Sequence, residues 1–266
     1  MNHLLRSHAP ISEKGWEQID EEARQRLAPA LAARKLVDFS GPLGWEHSAT
    51  SLGRAKTLPG SPAAGASARQ REVLPLIELR ADFAVLREEL RSIDRGAVDA
   101  DFDSLDAAAH QIAIAENAAV LQGWPNALQG IAEASPYQPR ALREAPESYA
   151  SLISAAMSEL LARGIDGPYG LALDPHHHRL VTQTVEQGGP LLEEHLRTIL
   201  RGPIVWTPGI EGGLIVSLRG GDYLFESGQD LSVGYDSHDG EQVNLYIEES
   251  FSFRVATPEA AVVLAP

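Results

Sequence analysis

The chain has 266 residues, 44% of them hydrophobic and 22% charged, a balance ordinary for a protein with a substantial core. A net charge of −15 argues against the clustered Lys and Arg that give nonspecific affinity for DNA or anionic membranes, so neither nucleic acid nor membrane is an expected partner. The absence of cysteine excludes disulfides, thiolate metal sites and cysteine nucleophiles, and no apolar run approaches the roughly 18–20 residues of a membrane span.

The N-terminus lacks an apolar signal core, so a cytoplasmic protein is expected. Pro10 disfavours an early helix start and Ser12 is a candidate N-cap. Trp16, Ile19, Ala23, Leu27 and Leu31 recur at spacings of three and four and predict an amphipathic helix, with a kink or break near Leu27 imposed by Pro29. Residues 35–39 have strand character and run into a turn at Gly41-Pro42. Residues 47–71 form a long excursion whose centre, PGSPAAGASA, is small and breaker-rich. It reads as a linker, or as a projecting hairpin arm, because strand-like sequence resumes over 72–83. Helical patterns follow at 85–95 and 105–122, the second alanine-rich and suited to a buried spine, with a shorter one at 125–133. After a proline-bearing loop, helices are predicted at 148–163, 175–185 and 191–200, and short strands within 166–174 and 202–208. Strands at 213–218, 223–226, 231–235 and 243–254 complete the reading.

Residues 219–250 hold eight carboxylates against Arg219 alone, which is either a solvated face or an acidic surface that favours cations. His176-His177-His178 has the composition of a metal site, but neighbours on a helix point about 100° apart and do not converge on one ion. No metal is expected. No Gly-x-Ser-x-Gly elbow, GxGxxG or Walker motif is present, which leaves a soluble hydrolase poorly supported.

Arg34, Val37-Asp38, Gly41-Pro42 and Gly44-Trp45-Glu46 follow Leu5-Arg6, Ala9-Pro10, Trp16, Ile19-Asp20 and Ala23 in an order that closely resembles the N-terminus of type 1 encapsulins, bacterial nanocompartment shell proteins. Further segments in register are Pro75–Arg80, Ile93–Gly96, Asp166–Tyr169, Arg219–Asp222, Gly228–Tyr235 and Glu249–Phe253. The resemblance implies an α+β fold like the major capsid protein of tailed phages, with a peripheral domain, an axial domain and an extended loop. Residues 1–46 would be the N-terminal helix and strand of the peripheral domain, 47–71 the extended loop, 72–135 the peripheral domain with its spine helix, 136–222 the axial domain, and 223–266 the closing strands of the peripheral domain.

It also implies a shell subunit without catalysis, self-assembling into an icosahedral compartment. Such a shell encloses cargo enzymes of peroxidase or iron-storage type by their C-terminal peptides. The alternative of a prophage capsid protein shares the fold, but its genome would favour a basic inner face. Segments 27–39 and 230–235 would line the cargo groove. The candidates are Leu27, Leu31, Leu36, Phe39, Leu231, Val233 and Tyr235, each of which could equally be core. Arg34 and Asp38 would position the tail's backbone or charges, or pair with each other. Glu186, Gln187, Gly188, Gly189 and Pro190 correspond to the family's pore loop, or form an ordinary helix–helix turn. Some relatives bind a flavin beside a Trp after the Glu-Leu-Arg strand; here residues 84–89 contain no aromatic ring, so no cofactor is expected.

Overall fold

Ser12 sits in extended conformation and its hydroxyl accepts a hydrogen bond from Gly15 N at 3.0 Å, capping helix α1, Glu13–Ala30. The computed structural model describes residues 3–186 and 188–266. Ile19, Ala23, Leu27 and Ala30 form the buried stripe of α1. The break expected near Leu27 is absent. Pro29 lies in the last turn on the exposed side, so the Gln25 carbonyl that it leaves unpaired is on the wet side of the helix. A 3-10 turn, Ala33–Lys35, follows, and strand β1 spans Asp38–Ser40. The strand begins later than its sequence predicts because Asn117 holds the preceding turn. Its Oδ1 accepts from Ala32 N and Ala33 N, both at 2.9 Å, while its Nδ2 donates to Ala30 O at 2.8 Å and Pro208 O at 3.0 Å.

Strands β2, Ala49–Thr57, and β3, Arg69–Pro75, pair antiparallel in a two-stranded sheet of their own, with no fully buried residue on either strand. The excursion is therefore a hairpin arm and not a linker. β4, Ile77–Leu86, buries alternate residues (Leu79, Ala81, Phe83, Val85), as one face of a sheet requires. Helix α2, Arg87–Arg95, starts only after it, so Val85 and Leu86 belong to the strand and not to the predicted helix. The spine helix α3 is Asp103–Leu121. The helix predicted at 125–133 shrinks to α4, Ile131–Ala134, because Trp124 and Leu128 close a turn on each other by reciprocal backbone bonds of 2.8 and 2.9 Å.

β5, Arg140–Ala141, and α5, Tyr149–Ala162, lead to β6, Tyr169–Leu173. Then come α6, Pro175–Gln183; α7, Leu192–Leu200; β7, Ile204–Trp206; and β8, Gly213–Ser217. The chain closes with β9, Tyr223–Ser227; β10, Ser232–His238; β11, Gln242–Val255; and β12, Ala261–Ala265.

One sheet is organised by the long strand β11. Its one edge pairs antiparallel with β4 from Gln242↔Leu86 to Phe251↔Ile77. Its other edge is divided between β10, with Ser232↔Glu248, and β9, with Phe251↔Ser227. β1 joins β9 in parallel. The second sheet runs β5-β12-β8-β6-β7 and carries α5, α6 and α7. β12, which has no counterpart among the predicted strands, pairs there with β8 and β5, so the end of segment 223–266 returns to the sheet of residues 136–222. The acidic stretch 219–250 falls mostly in the first sheet, where Asp222 binds Arg219, Asp236 binds Arg80 and Glu226 binds His47.

Candidate functional site

The C-terminal half of α1 lies beside β10, and between them is an open groove of about 440 Å³. Ala23, Leu27, Ala28 and Leu31 supply its helical wall, Leu231 and Val233 its strand wall, and Ile247 of β11 contributes beneath. The helical contribution follows from spacing: positions 23, 27 and 31 share one face, with Asp20, Arg24 and Ala28 along its side. Leu4 also lines the groove, because Tyr235 N donates to Leu4 O at 2.9 Å and lays the N-terminal segment along the outer edge of β10. At one rim Arg6 pairs with Asp20 at 2.7 Å and rests over the Trp16 ring at 4.0 Å.

Arg34 defines the other rim. Its Nε donates to Glu116 Oε2 at 2.6 Å, Nη1 to Asp230 Oδ1 at 2.7 Å and Nη2 to Glu249 Oε2 at 2.7 Å. Burial alone would lower the affinity of Arg34 for its proton, but the three carboxylates more than offset this and hold it cationic. Burial pushes the Glu249 carboxyl well above its usual range, and the neighbouring Glu116 adds to the rise. Burial raises Glu116 as well, against the opposing pull of Arg34.

Of the candidate groove residues, Leu27, Leu31, Arg34, Leu231 and Val233 come together here. Four do not. Leu36 ends the 3-10 turn pointing inward, 1% exposed, towards Leu218 and Tyr223. Asp38 does not pair with Arg34; its Oδ2 accepts from Gly221 N at 2.5 Å. Phe39 on β1 does not line the groove but stacks on Phe225 at 5.3 Å, with its ring 5.0 Å from the Arg34 guanidinium at the rim. Tyr235 shares the parity of Leu231 and Val233, but the strand register shifts beside it, Leu4 takes its edge, and its hydroxyl bonds His238 Nδ1 at 2.5 Å. Glu116, Asp230, Glu249 and Ile247 reach the site through pairings distant in sequence, which no local pattern reveals.

The loop between α6 and α7 is closed by its backbone. Glu186 N donates to Pro190 O, Gly189 N to Glu186 O and Leu192 N to Thr184 O, each at 3.0 Å. Gly188 and Gly189 hold φ of +114° and +100°, a conformation that favours residues without Cβ. Glu186 Oε2 is also bound to His195 Nδ1 on α7 at 2.8 Å. Gln187 lies outside the described residues.

The three consecutive histidines separate as their helical spacing requires. His177 turns inward, Nδ1 to Asp174 Oδ2 at 2.8 Å, while His176 faces Glu144 at 3.4 Å. Residues 84–89 span the end of β4 and the start of α2 and offer no ring on which a flavin could stack. Among the described residues no helix is long and apolar enough to cross a membrane.

Residues 1–252 match the family described as encapsulating protein for peroxidase. The chain is 44% identical over 270 residues to a type 1 encapsulin shell protein of Rhodospirillum rubrum, covering 99% of this chain and 96% of that one. It is 40% identical to the type 1 encapsulin shell protein of Brevibacterium linens, with full coverage of both. Among solved structures, it resembles a virus-like particle from Pyrococcus furiosus with a TM-score of 0.69 at 20% identity, over 94% of this chain and 98% of that one. The capsid of an empty GTA particle gives a TM-score of 0.54 at 16% identity, covering 89% and 91%. These two likenesses establish a capsid-like fold.

Proposed function

The chain belongs to the type 1 encapsulin shell-protein family, and from that premise we propose that the shell it builds takes up cargo through the groove between α1 and β10. Its role is that of a shell-forming subunit, as its relatives are named, and not that of an enzyme. The cargo is a peroxidase, in keeping with the family's description, or an iron-storage protein, and it is held by a flexible C-terminal peptide.

The observation that carries this reading is the apolar lining of the groove, with Leu27, Leu31, Leu231 and Val233 converging from two elements. A disordered tail loses chain entropy when it binds, so it needs walls already in place. A groove fixed by a helix, a strand and the Arg34 ion cluster meets that need. The loop at 186–190 borders a pore, the compartment is icosahedral and cytoplasmic, and no flavin is held at residues 84–89.

The test is Val233→Asp in shells expressed in their own host, where native cargo is present. A carboxylate placed in an apolar wall loses hydration with no partner to replace it. Closed particles with cargo copurification reduced at least about tenfold, the effect of roughly 1.4 kcal/mol, are expected. Particles loaded as fully as the wild type would remove this groove from the mechanism.

A further inference from the structure

The Arg34 cluster holds one cation against three carboxylates: Glu116 from α3, Glu249 from β11 and Asp230 from the approach to β10. These are the charged groups that meet it; β1 and β9 contribute the Phe39 and Phe225 rings, 5.0 and 5.4 Å from the guanidinium. Glu116 and Glu249 are buried, and each uses only Oε2 on Arg34. Their Oε1 atoms are both buried and receive no N–H or hydroxyl donor among the described residues. Two ionised carboxylates buried on one guanidinium, each with an oxygen left without a donor, would be strongly unfavourable. A single proton resolves it: on one Oε1 it turns that carboxyl into a donor towards the other.

We propose that one proton held between Glu116 and Glu249 locks the β10 wall of the groove, so that pH sets whether the site is ready for its peptide. The lock works through Asp230, the one carboxylate of the three with substantial exposure, 41% at its side chain. Asp230 Oδ1 accepts from both Arg34 Nη1 and Leu231 N, at 2.7 and 2.9 Å, and so ties the first wall residue to the cluster. When the proton leaves, three carboxylates compete for Arg34, and Asp230 is the one that water can take. Leu231 then loses its tie to the cluster, and the start of β10 is left to its pairing with β11 alone.

The sign follows from linkage. The closed state binds one proton more than a state in which the buried pair is exposed. Closure is therefore complete below the ordinary carboxylate range and weakens as pH rises towards the raised value of the pair. This regulation rests on the groove being the cargo site, but its test does not.

Hydrogen–deuterium exchange of residues 230–235 is followed in assembled wild-type, Glu249→Gln and Glu116→Gln shells across pH, with infrared detection of a protonated buried carboxyl. In the wild type, exchange is expected to rise about tenfold per pH unit beyond the intrinsic rate within that window. The carboxylic-acid band should fade over the same range. A glutamine amide supplies the same donor without titrating, so Glu249→Gln should flatten the excess. Wild-type exchange that follows the intrinsic rate, or no buried carboxylic-acid band just above the ordinary carboxylate range, overturns the lock even if neither variant folds. Neither readout needs cargo, so failure of Val233→Asp to change loading would leave the lock standing and remove only its purpose.

Discussion

Asn117 and Arg34 each bind groups that stand far from them in sequence, and each fixes the end of α1. Asn117 is buried and spends both ends of its amide on four backbone groups. Asn117→Leu keeps the size and orphans Ala33 N and Pro208 O, while Ala32 N and Ala30 O keep only their own bond of 2.9 Å. With about 1–3 kcal/mol for each buried polar group left unpaired, softened by relaxation, a loss of about 3 kcal/mol or more is expected. Thermal unfolding of the shells would measure it, and an unchanged midpoint would mean that these groups find other partners. Arg34→Met should cost about 3–5 kcal/mol, because it strands Glu116 and Glu249 as buried acids without a cation. Its thermal midpoint should recover in part at low pH, where both acids accept protons; a deficit independent of pH would refute the counterion role. Neither residue discloses this from its neighbours. Asp38 stands four positions from Arg34, whereas the actual partners lie 82, 196 and 215 positions away.

Legibility at the scale of elements depends on one-sided burial. The stripe of α1 and the alternation of β4 are plain because each element faces core on one side and water on the other. β12 reads only as the short apolar run AVVLA, which has no period to distinguish strand from helix, and its place between β5 and β8 depends on contacts with distant segments. Part of the groove was legible through the resemblance, which pointed to segments 27–39 and 230–235; the contributions of Leu4 and Ile247 exist only once the chain is folded. The arm was legible through its breakers. Without a buried residue on β2 or β3, it cannot be ordered by its own core and needs a neighbour's surface. Deleting residues 56–67 should abolish closed particles while the far-ultraviolet helical signal persists, because α1 to α7 all lie outside the deletion. Intact shells from that variant would show that the arm is dispensable.

Charge acts on the whole molecule. Several acids of segment 219–250 are consumed internally: Asp222, Asp230, Asp236 and Glu249 all bind arginines, so the segment is less a solvated face than half of a set of ion pairs. Even if every Lys and Arg were paired, 15 carboxylates per subunit would remain without one. Closing many such subunits into one shell gathers like charges that the free subunit keeps apart, so electrostatics opposes assembly while apolar burial at the contacts drives it. Salt separates the two effects. Between about 0.01 M and 0.15 M the screening length falls from about 30 Å to about 8 Å, which removes most repulsion between exposed charges on neighbouring subunits. The fraction of protein in closed particles, read by size-exclusion chromatography with light scattering, should therefore rise with salt over that range. A fraction that falls would mean that contacts between subunits are held by opposite charges brought together across the interface, and that the surplus carboxylates face away from it.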